Sequence, residues 1–246
     1  MKKIIGLIPT RLESKRLPGK ALFDLDGLPL VIHTAKRAML SKLLKQVFVC
    51  TDSDKIIRVC KIHNVKFIKT QKNFVNGTER IASVVKKIDC DFVIDIQGDE
   101  PLISPDYIDQ VIKFHLKIQK KADIVIPCIQ ANYNSPPSIV RVLCSRSGKI
   151  MYLSRANIPY QYSGFAQNIL KHLSVISFTK KSLLKYSKLK QSYYEKIEDI
   201  ELLRALENDF NLFTIKLEGN SFSVDVNDDY LKAKIAIKDD KIRKFY

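Results

Sequence analysis

At 246 residues, 46% hydrophobic and 28% charged, the chain has the composition of a soluble globular protein of one or two domains, which excludes a disordered, fibrous or repetitive chain. No apolar run approaches a membrane span and the stretch before Pro9 is too short for a signal-peptide core, so a cytoplasmic protein without a membrane partner is expected. An excess of 42 basic over 26 acidic residues, net +16, raises nucleic acid or acidic surfaces as partners, but lysines scattered among acids point to a solvated surface, with part of the charge serving an anionic substrate.

Residues 4–8 are apolar except for Gly6 and predict a strand buried on both faces, stopped by Pro9. The loop that follows carries Arg11, Lys15, Arg16 and Lys20 against a single acid, Glu13, and closes at Pro18-Gly19. Phosphate oxygens favour planar Arg forks, compact Lys charges and open backbone amides, so the loop reads either as a polyphosphate cradle or as a solvated basic turn. A short extended piece over 21–26 leads to a helix over 30–44, in which His33 packs. A strand at 46–50, a helix from the Thr51-Asp52-Ser53 cap to about 63, and a strand at 65–68 follow. This alternation predicts an α/β fold with a doubly wound, mostly parallel sheet. Asn76-Gly77-Thr78-Glu79-Arg80 opens a helix through 88, either a plain cap or one whose amides face an anion. Residues 91–96 predict a central strand, with Gln97-Gly98-Asp99-Glu100-Pro101 just past its end. A carboxylate at that edge beside a glycine can hold magnesium on a phosphate, or the motif is a structural turn.

In the second half, a helix at 106–120 and a strand at 124–128 precede short runs at 139–143, 150–153 and 174–178 that read as antiparallel strands. No clean linker separates them, so the chain reads as one domain, 1–246, with an inserted subdomain over about 132–190. Here stand Ser154-Arg155-x-x-Ile158-Pro159 and Lys171-His172-Leu173, where Arg155 is either a surface ion pair or an anion contact. Residues 194–208 have helical spacing, 222–225 form a strand end carrying Asp225, and 230–237 close the chain as a helix. The five cysteines, Cys50, Cys60, Cys90, Cys128 and Cys144, are odd in number and widely spaced, as reduced core residues are.

In this order, from Pro9-x-Arg11 and Arg16-Leu17-Pro18-Gly19-Lys20 to Val224-Asp225, the motifs resemble the sugar-acid cytidylyltransferases, in particular those acting on 3-deoxy-manno-octulosonate (KDO). The resemblance spans the chain and implies an antiparallel insertion that covers the sugar site and builds a homodimer. It implies transfer of CMP from CTP to the anomeric hydroxyl of KDO, with release of pyrophosphate, for lipopolysaccharide synthesis. On that reading Arg11, Lys20 and Asp99 are catalytic, and Arg11, Arg16, Lys20, Gly77, Thr78, Arg80 and Gln97 hold the nucleotide. Arg155, His172 and Glu201 hold the sugar acid, and Asp99 and Asp225 hold Mg2+. The chain departs from the pattern at Tyr160, at residues 174–178, at Leu202, where the family has a Gln expected to bond the sugar, and at Val226-Asn227-Asp228-Asp229. These departures motivate an amino-substituted KDO or another ulosonate as an alternative substrate. A basic nucleic-acid-binding protein without catalysis, or a nucleotide-binding regulatory module, are readings of another class.

Overall fold

Strand β1 (Ile4–Pro9) is buried at all six positions, as its apolar run predicts, and the chain is wound outward from it. The computed structural model describes residues 2–14, 16–165, 167–220 and 223–246, so Lys15 of the basic loop and Phe222 of the predicted strand end lie outside the described residues. After β1 come a hairpin of β2 (Asp24–Leu25) and β3 (Leu28–Pro29), then α1 (Leu30–Met39), β4 (Gln46–Thr51), α2 (Asp54–Ile62), β5 (Phe67–Lys69), α3 (Gly77–Val85), β6 (Phe92–Ile96) and α4 (Pro105–Ile118). The second half runs β7 (Ile124–Asn132), β8 (Arg141–Cys144), β9 (Ile150–Ser154), β10 (Asn168–His172), β11 (Val175–Thr179), α5 (Lys180–Tyr186), α6 (Tyr193–Glu198), α7 (Leu202–Leu206), β12 (Leu212–Lys216) and α8 (Asn227–Ala236).

One sheet orders these strands β5-β4-β1-β6-β11-β7-β10-β8-β9, with β12 also paired to β7. The β5-β4-β1-β6 half is parallel with helical crossovers, the doubly wound arrangement that the alternation predicts. Beyond β6, β12 runs parallel to β7 and the remaining pairings are antiparallel. Successive residues of β1 feed opposite cores: Ile4 and Ile8 meet α1 and α4, whereas Ile5 and Leu7 meet α3, α5 and α7. In β6, Phe92, Ile94 and Ile96 join the first core and Val93 the second, which puts Asp95 on the α3 side. A small third core of Leu25, Leu30, Val224 and Ala233, with Leu17 and Tyr230 against it, ties the basic loop to the C-terminal segment.

Several elements differ from expectation. The helix predicted over 30–44 stops at Met39, because the Ser41 hydroxyl and the amides of Lys42 and Leu43 turn onto the Asp109 carboxylate of α4. The extended piece over 21–26 begins as a 3-10 turn at Lys20–Leu22. The helix predicted over 194–208 is two helices, broken at Asp199, whose φ of 51° is left-handed. Strands β10 and β12 and helix α5 carry no clear signal in the sequence. The run at 174–178, expected at the insertion, forms β11 in the centre of the sheet between β6 and β7.

Candidate active site

The C-terminal ends of β1 and β6 lie side by side, in a register running from Ile4↔Phe92 to Leu7↔Asp95, so the loops beyond Pro9 and Ile96 emerge together. Two glycines allow the close approach. A Cβ on Gly98 would come within 2.4 Å of Thr10 Oγ1 and 3.2 Å of the Pro9 carbonyl, and one on Gly77 within 3.0 Å of the Pro9 ring. The basic loop folds back on itself through the Gly19 amide to the Leu12 carbonyl (3.0 Å), with Gly19 at φ 75° making the turn that a Cβ would disfavour.

That turn delivers Lys20 to the centre of the site. Its Nζ donates to Asp99 Oδ2 at 2.6 Å, to Asp225 Oδ1 at 3.1 Å and to the Val224 carbonyl at 2.7 Å. The Val224 amide in turn donates to the Asp99 carbonyl at 2.9 Å, which holds the two acidic segments edge to edge. Arg16 Nη2 reaches Asp225 Oδ1 at 2.8 Å from the solvent side. Arg11, Arg16, Lys20, Gly77, Arg80, Gln97, Asp99 and Asp225, eight of the residues read from the sequence, line one cavity of about 600 Å³.

The α3 N-terminus forms one wall, capped by Asn76 Oδ1, which accepts the Glu79 amide at 2.8 Å. Thr78 and Arg80 act behind that wall. Thr78 is wholly buried and turned from the cavity, its hydroxyl on Asp95 Oδ2 at 3.3 Å. Arg80 touches the cavity, but its guanidinium is engaged with Asp52 at 2.8 Å and with the Thr70 hydroxyl at 2.5 Å, bracing the chain before α3.

Two smaller cavities adjoin. One of about 460 Å³ is lined by His172 and Glu201 together with Arg11, Gly77, Gln97 and Leu202; one of about 370 Å³ by Arg155 and His172 with Gln97, Asp99 and Asp225. Arg155 spends its guanidinium on the backbone carbonyls of Glu198, Asp199, Pro137 and Ser138, so it frames the wall of that third cavity. Burial lowers the His172 imidazole to about 4, so it is neutral near pH 7, and its Nε2 has no hydrogen-bond partner among the described residues. Burial raises Glu201 to about 7 against the hydrogen bonds from Thr78 that favour its charge. A cavity of about 630 Å³ beside Asp91 and Lys180, at the other end of β6, holds none of the candidate site residues.

Asp95 and Asp199 escaped the sequence reading. Asp95 had a signal, an acid inside an otherwise apolar strand; Asp199 had none, because its place in two cavities depends on the helix break. Among the described residues no group of three or more His, Cys, Asp or Glu gathers as a metal site, and no helix is long and apolar enough to cross a membrane. What the site offers is a wall of cations facing two carboxylates that already share one positive charge.

The chain is similar to known proteins over most of its length. A family model described as cytidylyltransferase matches residues 5–216. A 3-deoxy-manno-octulosonate cytidylyltransferase of Chloroherpeton thalassium is 38% identical over 94% of this chain and 96% of its own length. Another, of Chlorobium limicola, is 36% identical over 84% and 85%. A solved structure of CMP:2-keto-3-deoxy-manno-octonic acid synthetase, complexed with CTP, superposes with a TM-score of 0.91 at 28% identity, covering 96% of this chain and 99% of that one.

Proposed function

Because the chain belongs to the cytidylyltransferase family, and within it to the 3-deoxy-manno-octulosonate cytidylyltransferases, we propose that it transfers CMP from CTP to the anomeric hydroxyl of KDO and releases pyrophosphate. The observation that carries this reading is the convergence of Lys20 on Asp99 and Asp225, beside Arg11 and Arg16, in a single cavity. The hydroxyl oxygen bonds to the α-phosphorus and gives its proton to solvent, the bond from that phosphorus to the bridging oxygen breaks, and pyrophosphate leaves with the electron pair. No covalent bond to the protein forms, so the chain's work is positioning and charge neutralisation.

Arg11, Arg16 and Lys20 offset the charge of the triphosphate and of the departing pyrophosphate. The amides at Asn76-Gly77 add the positive end of the α3 dipole, while Arg80 and Thr78 hold that end in place from behind. On the sugar side His172 supplies a neutral ring nitrogen, Glu201 a carboxyl and Gln97 an amide, within a frame that Arg155 fixes.

The two carboxylates fit a divalent ion. The Lys20 ammonium stands between them as a cation already, and a two-carboxylate set completed by phosphate oxygens and water is what magnesium accepts. Asp99 and Asp225 would hold it; when bound, magnesium neutralises phosphate charge and lowers the pKa of the attacking hydroxyl. The exposed Tyr160, Tyr162 and Phe165 form the surface that a second copy covers in a homodimer. A cytoplasmic location, with access to CTP, is part of this reading.

The test is pyrophosphate release from CTP, magnesium and KDO. Asp99→Ala, with an unchanged circular dichroism spectrum, is expected to lower kcat by about 100-fold or more. Absence of KDO-dependent release from the wild-type chain overturns the reading.

A further inference from the structure

Asp95 is the single acid of β6 and is wholly buried beneath Gly77 and Thr78. Its Oδ2 faces the Thr78 hydroxyl at 3.3 Å and its Oδ1 the Gln97 side-chain amide at 3.2 Å. Glu201 approaches the same threonine from the α6–α7 side, with Oε2 3.5 Å from the Thr78 amide and the hydroxyl also within reach. Two carboxyls therefore share one residue.

The groups facing this pair within the protein are Cys50 on β4, Asp99 beyond β6, Tyr186 on α5, and Glu195 with Arg204 on α6 and α7. Across the cavity stand Arg11, Lys196 and Asp199. The near cation, Arg204, is already closed on both oxygens of Glu195 (2.7 and 2.6 Å) and on Glu79 (2.7 Å). An ionised carboxylate out of water and without a cation costs several kcal/mol, so a carboxyl placed as Asp95 is holds its proton.

We propose that Asp95 is a positioning residue that stays a neutral carboxylic acid, giving its O–H to the Thr78 oxygen while Thr78 gives its own to Glu201, and so leaves Glu201 as the group that charges and discharges at the wall of the sugar-acid cavity. Burial, then the nearby Glu201, raises Asp95 well above the ordinary carboxyl range, while burial brings Glu201 to about 7. Asp95 keeps its proton where Glu201 loses its own. A protonated Glu201 offers the anionic sugar acid a donor; an ionised one opposes it with a like charge. The inference rests on the reading that this cavity takes the sugar acid.

The experiment measures KM for KDO at saturating CTP between about pH 6 and pH 8.5, together with infrared spectra of the unliganded proteins. In the wild type KM is expected to rise severalfold through neutral pH. Glu201→Gln flattens the profile. Asp95→Asn, whose amide donates as the neutral acid does, keeps the midpoint and loses one carboxylic-acid C=O band. A midpoint that falls by about one unit or more in Asp95→Asn shows Asp95 to be ionised and overturns the proposal; so does an unchanged infrared band. Should Asp95→Asn not fold, the Glu201→Gln profile decides, and an undiminished pH dependence there overturns it. If the wild type releases no pyrophosphate with KDO, the functional reading fails, while the infrared spectrum still decides the state of Asp95.

Discussion

The Lys20 ammonium stands between two carboxylates, with 14% of the side chain exposed against 25% for Asp99 and 20% for Asp225. At that depth the pairs are only partly screened, and removing the cation leaves two like charges in contact. Lys20→Met is expected to cost about 1–3 kcal/mol of stability and to lower kcat/KM for CTP by about 100-fold. Added magnesium should restore part of the lost melting temperature, and no restoration would count against the two aspartates as its ligands. Titration also acts at this scale. His115 and His172 are held at about 4 by burial, below their ordinary 6.5, so in that window the unfolded chain binds more protons and the stability they give is lost as pH falls from 6.5 towards 4. Glu201 and Asp95 are raised, so their folded forms keep protons and the stability they give is lost as pH rises. The raised acids oppose these histidines, and His33, which burial also lowers, adds to the histidine side, so the wild type should lose stability on acidification between about pH 4.5 and 6.5 less steeply than the histidines alone would make it. Glu201→Gln removes one opposing group and should steepen that loss by about 1.4 kcal/mol per pH unit relative to the wild type, read from urea midpoints.

Helices α6 and α7 illustrate how an element is set by its neighbours. Their apolar spacing is that of one continuous helix, but Arg204, buried at 1% exposure, must close on Glu195 and Glu79 while Glu201 meets Thr78. The chain satisfies all three by a break at Asp199, whose short polar side chain tolerates the left-handed conformation. Arg204→Met leaves two acids without their cation and is expected to destabilise by about 3–5 kcal/mol, measured by chemical denaturation. Because the same arginine sets the Glu201 approach, KM for the sugar acid should rise more than KM for CTP.

Over the whole molecule, the site lies at the ends of parallel strands, while the antiparallel strands β8, β9 and β10 extend the sheet beside the cavity lined by Arg155 and His172. The 155–167 segment leaves Tyr162 92% and Phe165 99% exposed, more aromatic surface than a lone soluble chain leaves bare without use. If this surface pairs two copies, the wild type should sediment as a dimer and the double variant Tyr162→Ser/Phe165→Ser as a monomer; a monomeric wild type, or an unchanged coefficient in the variant, would count against that role for these aromatics. The net charge of +16 attracts an anion such as CTP from farther than the four cations of the basic loop alone would.

Periodicity and punctuation determined the first half of this molecule: the buried run ending at Pro9, the alternation of strands and helices, and Asp99 just past a central strand are local signals that survive folding. Family motifs, rather than pattern, brought Arg155, His172 and Asp225 to notice. Strands β10 and β12 were illegible because their stability comes from pairing with β7, a partner distant in sequence. The turning of Thr78 and Arg80 to the back of the wall, the break at Asp199, and the meeting of Lys20 with acids 79 and 205 positions away were decided by tertiary structure alone. Side-chain direction and the pairing of buried charges depend on which surfaces pack together, and no stretch of sequence contains both partners.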